Sequence, residues 1–154
     1  MCDLTPYYLD DDDCSHFHQT LKSACDQHDP QYYATFKAWC DQYFRIKHRG
    51  INRGIGGIFF DDLNSPDQDT CFQFIETCAK AFLPSYLPIL QKNKMKGYGL
   101  AEKQWQYIKR GHYAEFNLTI DRFIIVLILK FKICNDLCFV EAPGLVWRPP
   151  TTPT

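Results

Sequence analysis

The sequence predicts an α+β fold, an antiparallel sheet flanked by helices. Three observations carry that expectation. Apolar residues recur at helical spacing over three segments, a short apolar run at Ile58–Phe60 is bounded by glycines and acids, and the pattern switches to period two from Tyr113 to Asp121. The chain has 154 residues with 17 basic and 18 acidic side chains, which suits one ordinary domain or a piece of a larger one. Hydrophobic residues make up 45% and charged ones 23%, a balance that excludes wholesale disorder. Near-neutral charge also argues against nucleic acid as a partner.

Taken in order, Asp11 to Asp13 are placed to cap a helix beginning near Cys14, with Phe17, Leu21 and Ala24 or Cys25 on one face and Asp29 and Pro30 ending it. A second helix is expected from about Gln31, where Phe36, Trp39, Cys40, Tyr43 and Phe44 form an apolar stripe. A glycine-rich loop from His48 to Gly57 comes next, and Ile58, Phe59 and Phe60 read as a buried strand. Ser65 as N-cap, Pro66 at the first helical position and Asp67 and Asp69 in the first turn predict a third helix. Its core face is expected to be Phe72, Ile75, Ala79 and Phe82, with Pro84 and Pro88 interrupting or kinking the chain beyond it. After a polar loop at Asn93–Gly99, a short helix is expected around Glu102–Ile108. Then Ala114, Phe116, Leu118 and Ile120 alternate with polar residues, which predicts a strand with one apolar face.

The eight cysteines show no Cys-x-x-Cys pair and none of the spacing of a zinc site or disulfide scaffold, so most are expected to be buried thiols. Met1, Cys2 and Asp3 do not open a signal peptide. The apolar block Phe123–Ile133 carries Lys130 and Lys132 and is about half the length a bilayer needs, so no transmembrane segment is expected.

The densest functional signal is the loop holding Arg49 and Arg53, with Asp61 and Asp62 just beyond it. Guanidinium forks in a glycine-rich loop suit carboxylates or phosphates, and an anionic small molecule is the first expectation. The same arginines could instead pair internally with Asp61, Asp62 or Glu115, and spacing alone does not separate the two. The loop lacks the Gly-Lys-Ser or Gly-Lys-Thr ending of a Walker motif, and its glycines precede a strand where a dinucleotide fingerprint requires a helix. His16 and His18 lie about 200 degrees apart around a helix axis and cannot both ligate one metal. His18 could join His48 across the fold, although a hydrogen-bonded structural role is the commoner one for such an imidazole.

The run from Lys37 to Leu63, through Trp39, Cys40, Tyr43, Phe44, His48, Arg49, Gly50, Arg53, Gly54, Gly56, Gly57, Phe59, Phe60, Asp61 and Asp62, closely resembles the signature of the oxygen-dependent coproporphyrinogen III oxidase family. The resemblance extends upstream to Cys2–Pro6 and His16–His18. Downstream it takes in Pro84–Tyr86, Arg110, Gly111, Tyr113, Glu115–Leu118, Asp121 and Arg122. It implies oxidative decarboxylation of two propionates of coproporphyrinogen III to vinyls, giving protoporphyrinogen IX, with dioxygen as co-substrate and no organic cofactor. By motif position, Asp3 resembles the catalytic carboxylate set over the pyrrole N–H groups, and Arg53 a carboxylate-binding arginine, with Arg49 beside it. His18 and His48 resemble histidines to which a divalent metal has been ascribed in bacterial relatives, where the requirement is disputed. The resemblance further implies a homodimer, with His48, Tyr113, Glu115, Asn117, Asp121 and Arg122 as dimerisation residues. It places family members in the mitochondrial intermembrane space in animals and in plastids in plants.

Three departures from the family pattern stand out. Ile51 occupies the position of a family glutamate. The family's N-terminal half, with its proposed proton-donating histidine and any presequence, is expected to be missing, which makes the fold incomplete and the chain inactive by itself. Residues 1–122 are thus a partial oxidase domain and 123–154 an aberrant tail. Glu141 to Arg148 can be back-translated so that a two-base shift reads the family's continuation. A retained intron from Phe123 to Val140 and then a frame-shifted exon would account for that. The competing reading is a non-catalytic tetrapyrrole-binding or dimerisation module.

Overall fold

In the computed structural model, which describes residues 1–121, a short strand β1 (Cys2–Leu4) precedes helix α1 (Asp11–Asp26). Asp10 is the N-cap, its carboxylate accepting from the Asp13 amide at 3.1 Å, so the acids expected to cap this helix lie inside its first turn. There they face the unpaired N–H groups and the positive end of the helix dipole, which moves the start earlier than Cys14. Helix α2 (Tyr32–Tyr43) buries Phe36 and Cys40, and Phe44 just beyond it, on the expected stripe.

The glycine-rich loop is more ordered than its composition suggests. Strand β2 (Arg45–Ile46), one 3-10 turn at Lys47–Arg49 and strand β3 (Ile51–Asn52) form a small antiparallel hairpin, with Gly50 in the left-handed region at φ 66°. Strand β4 (Gly56–Ile58) pairs antiparallel with β1, in the register Cys2 to Ile58, Asp3 to Gly57 and Leu4 to Gly56. The expected strand at Ile58–Phe60 is therefore corrected to begin at Gly56. A Cβ at Gly57 would meet the Cys2 carbonyl oxygen, so this close strand approach needs glycine there. Phe59, past the strand, donates its amide to the Phe36 carbonyl at 3.2 Å.

Helix α3 (Gln68–Asn93) is capped by Asp67, which accepts from the Thr70 amide at 2.9 Å, two residues beyond the expected Ser65 cap. Pro84 and Pro88 sit inside it without ending it. Pro88 has no N–H for the carbonyl of Pro84, and the His16 ring Nε2 takes that place, donating to this oxygen at 3.0 Å. The expected core face of α3 is also corrected. Cys71, Phe74 and Ser85 are buried, whereas Phe72, Ile75 and Phe82 are exposed. Each turn carries two adjacent apolar residues, and packing on α1, not hydropathy, selects which one faces inward.

Helix α4 (Leu100–Thr119) replaces both the short helix and the strand expected from Tyr113 to Asp121. Among its last residues Phe116 is fully buried and His112 and Glu115 are half-buried, a helical spacing that the period-two reading overlooked. The single flanked sheet is accordingly two separate two-stranded sheets among the described residues, and the α+β class holds in that coarser form.

Residues Met1–Phe116 form one compact unit and Asn117–Thr154 a second, of which the end of α4 is described. The core of the first joins Phe17, Leu21 and Cys25 of α1 to Phe36, Ile58 and Phe74. Phe36 and Phe60 rings stand 4.9 Å apart, and Phe60 and Phe74 5.1 Å, at tilted angles that suit aromatic quadrupoles. Six cysteines lie among the described residues, all as free thiols. Burial pushes Cys25 and Cys40 up to about 12 and Cys78 up to about 11, so these behave as packing groups. Cys134, Cys138 and the apolar block from Phe123 lie outside the described residues. No described helix is long and apolar enough to cross a membrane.

Candidate functional site

Pairing of β1 with β4 sets Asp3 opposite Gly57, and Arg53 enters on the segment leading to β4, its amide bonded to the Phe44 carbonyl at 3.0 Å. The Arg53 guanidinium donates to Asp3 Oδ2 at 2.6 Å. The two side chains are 5% and 12% exposed, so this ion pair is almost wholly removed from water. Aromatic rings complete the enclosure, with the guanidinium carbon 4.0 Å from the Phe44 ring centre, 4.5 Å from Tyr113 and 5.1 Å from Phe116. Such contacts favour a cation held where water is scarce.

Arg49 lies on the 3-10 turn nearby and takes Glu115, one of the internal partners that spacing left open, and not Asp61 or Asp62. Its Nε donates to Glu115 Oε2 at 2.8 Å and its Nη2 to Oε1 at 3.3 Å, a two-pronged grip on a carboxylate. His48 Nε2 meets the same carboxylate at 2.8 Å. The Arg49 bond, then that of His48, holds the Glu115 carboxyl below its usual range. Both arginines thus converge on the Tyr113–Phe116 stretch of α4, and Asp3 joins them through Arg53.

His18 sits elsewhere. Its Nε2 lies 3.1 Å from the Ile55 carbonyl, which can only accept, so that nitrogen carries the proton. Nδ1 then accepts from the Tyr33 hydroxyl at 3.0 Å. Desolvation keeps this imidazole below its usual pKa and hence neutral. With both His18 nitrogens engaged and His48 bound to Glu115, these two residues do not fit a shared divalent ion. Among the described residues no group of three or more His, Cys, Asp or Glu side chains is arranged to hold one.

A family model described as coproporphyrinogen III oxidase matches residues 1–130. The chain belongs to the coproporphyrinogen III oxidase family. It is 63% identical over 120 residues to the oxygen-dependent coproporphyrinogen-III oxidase of Drosophila melanogaster, covering 78% of this chain and 31% of the relative. Against the mitochondrial oxygen-dependent coproporphyrinogen-III oxidase of Mus musculus the identity is 58% over 121 residues, 79% of this chain and 27% of the relative. The oxygen-dependent coproporphyrinogen-III oxidase of Francisella tularensis subsp. novicida is 51% identical over 146 residues, 95% of this chain and 47% of the relative. The chain therefore spans less than half the length of these coproporphyrinogen oxidases.

Of the residues that the resemblance assigns to a coproporphyrinogen oxidase dimer, His48 and Glu115 are paired with each other and Tyr113 stacks on Arg53. Asn117 and Asp121 lie in the second unit and Arg122 outside the described residues. Sequence reasoning missed the aromatic box around Arg53. Phe44 and Phe116 were legible as apolar positions, but no local spacing links either to an arginine.

Proposed function

We propose that this chain supplies part of the catalytic site of an oxygen-dependent coproporphyrinogen III oxidase. Each of two propionates would lose its carboxyl as carbon dioxide and a hydride equivalent from the carbon attached to the pyrrole ring, leaving a vinyl group. Dioxygen takes that hydride equivalent and one further proton and leaves as hydrogen peroxide. The observation that carries this reading is the Asp3 carboxylate fixed by the buried Arg53 guanidinium at 2.6 Å. A carboxylate whose orientation is set by a rigid cation can accept hydrogen bonds from pyrrole N–H groups and draw a proton from them. Enclosed by three rings, Arg53 is a positioning residue for Asp3. Arg49, which already grips the Glu115 carboxylate, is the guanidinium better placed to exchange that partner for a substrate propionate.

Family resemblance supports a homodimer, with His48, Tyr113, Glu115, Asn117, Asp121 and Arg122 at its interface. The mouse, rat and human relatives are named mitochondrial, which supports a mitochondrial site of action. The test is a chimera in which residues 1–121 replace the matched stretch of the Drosophila relative, assayed for protoporphyrin fluorescence and peroxide from coproporphyrinogen III. Turnover is expected from the chimera and none from the isolated chain. In the chimera, Asp3→Asn is expected to lower kcat by about 100-fold or more with a smaller change in KM. A folded chimera that binds the tetrapyrrole and gives no product, or an unaffected Asp3→Asn variant, overturns the reading.

A further inference from the structure

The segment that carries Arg53 into β4 decides where the guanidinium meets Asp3, yet with Gly54, Gly56 and Gly57 in it few side chains of its own can hold it in place. Its backbone is held instead. The Ile55 amide donates to the Leu4 carbonyl at 3.0 Å, one residue past Asp3, and a Cβ on Gly54 would collide with that same oxygen. The Ile55 carbonyl accepts from His18 Nε2 at 3.1 Å, and behind the ring the Tyr33 hydroxyl donates to His18 Nδ1 at 3.0 Å. One continuous chain of hydrogen bonds thus runs from Tyr33 on α2, through His18 on α1 and Ile55, to Leu4 on β1, and ends beside Asp3. Its polarity is fixed. Burial raises the Tyr33 pKa, so the hydroxyl keeps the proton it donates. Burial, then the nearby Lys37 charge, lowers that of His18, so Nδ1 keeps the lone pair that accepts it.

We propose that His18, held in one tautomer by Tyr33, is a positioning residue that fixes the Arg53–Gly57 segment, and with it the Asp3–Arg53 pair, and is not a metal ligand. A divalent ion on this ring would have to take the Nδ1 lone pair from Tyr33, or replace the Nε2 proton that holds Ile55. Either change breaks the chain. The Lys37 ammonium beside the ring opposes a second cation there. Asp41, the acid whose charge reaches the ring, is already paired with Lys37 at 2.6 Å. It rests against Gly56, where a Cβ would strike its Oδ1, so α1 and α2 clamp the same glycine-rich segment from two sides.

The inference rests on the catalytic reading of Asp3 given above. In the Drosophila chimera, His18→Phe keeps a ring and removes the donor to Ile55, whereas His18→Gln keeps a terminal N–H able to reach the same carbonyl. His18→Phe is expected to lower kcat about tenfold or more with KM within about twofold, the mark of displaced reacting groups. His18→Gln is expected to keep most of the kcat, and neither variant to respond to added Mn2+. A metal ligand predicts the opposite, with Gln no better than Phe and recovery in excess Mn2+. That result overturns the proposal, as does an unchanged kcat in His18→Phe. A second measurement needs no turnover. In the full chain, nitrogen NMR of the His18 ring is expected to show the Nε2–H tautomer, an Nδ1 signal moved by Tyr33→Phe, and no change with equimolar Zn2+. An Nδ1 signal that Zn2+ moves, or that Tyr33→Phe leaves in place, overturns the proposal even if the His18 variants fail to fold. An Asp3→Asn chimera with intact turnover removes the catalytic reading, while the nitrogen signals still report the bonds of His18. An inactive Asp3→Asn chimera beside a fully active His18→Phe one removes the positioning role alone.

Discussion

Asp3 and Arg53 stand 50 residues apart in sequence and 2.6 Å apart in space. Truncating Arg53 takes the buried Asp3 carboxylate's cation away, a change that costs about 3–5 kcal/mol, while removing both charges costs less than the sum of the two single losses. A double-mutant cycle with Asp3→Asn and Arg53→Met, read by urea unfolding, is expected to show that non-additivity. Strictly additive losses would mean that the pair is not the unit the geometry shows. A second residue-scale prediction concerns pH. His18 and His112 are held below the ordinary imidazole value of 6.5, mainly by desolvation, so the unfolded chain binds more protons just below that value. Stability is then full above pH 6.5 and falls as pH drops through the window beneath it. Asp13 is held low chiefly by its bond from Lys92 and Glu115 by its bond from Arg49, so their contribution is lost at still lower pH. The urea midpoint should therefore decline in two stages on acidification, and His18→Gln with His112→Gln should flatten the first. A midpoint that rises between pH 7 and 5 would contradict the neutral, desolvated assignment of both rings.

At the scale of elements, α3 gives the sharpest test, because neighbouring phenylalanines on it have opposite fates. Phe74 is 0% exposed and packs against Tyr32, Phe36 and Phe60, whereas Phe72 is 68% exposed. Phe74→Ala should cost about 3–5 kcal/mol through the cavity it leaves. Phe72→Ala in the isolated chain should stay within about 0.5 kcal/mol. Reversed values in thermal unfolding would restore the face that periodicity predicted. The contrast shows why some elements were legible and others were not. In α1 and α2 one stripe is apolar and the rest polar, so Phe17, Leu21, Phe36 and Cys40 could be assigned inward from spacing alone. In α3 the pairs Cys71–Phe72 and Phe74–Ile75 offer two candidate faces, and the choice belongs to α1, a tertiary neighbour. The interruption expected at the prolines does not occur, since His16, 68 residues before Pro84, takes the carbonyl that Pro88 leaves open. The site itself was half legible: Arg49 and Arg53 announced themselves in a glycine-rich loop. Asp3 had no local signal, and its role came from resemblance, its place from the β1–β4 register.

For the whole molecule, the boundary near Arg122 is the feature with the most consequence. Sequence reasoning separates residues 1–122 from a tail whose apolar run, cysteines and prolines are expected to have no native role. The described core residues Phe17, Leu21, Cys25, Phe36, Ile58 and Phe74 all lie before Phe116, where the first compact unit ends. If the tail has no native role, a chain cut after Arg122 is expected to melt within about 2 °C of the full one. Its solubility should improve. The run from Phe123 to Leu129 is apolar, β-branched in part and uncharged, a composition that promotes strand pairing between chains whose sheets have open edges. Light scattering at matched concentrations, beside thermal unfolding, decides the matter. A truncated chain that unfolds or aggregates more readily would make residues 123–154 part of the domain. Transcripts joining Arg122 directly to the family's continuation would instead fix the tail as an unspliced remnant.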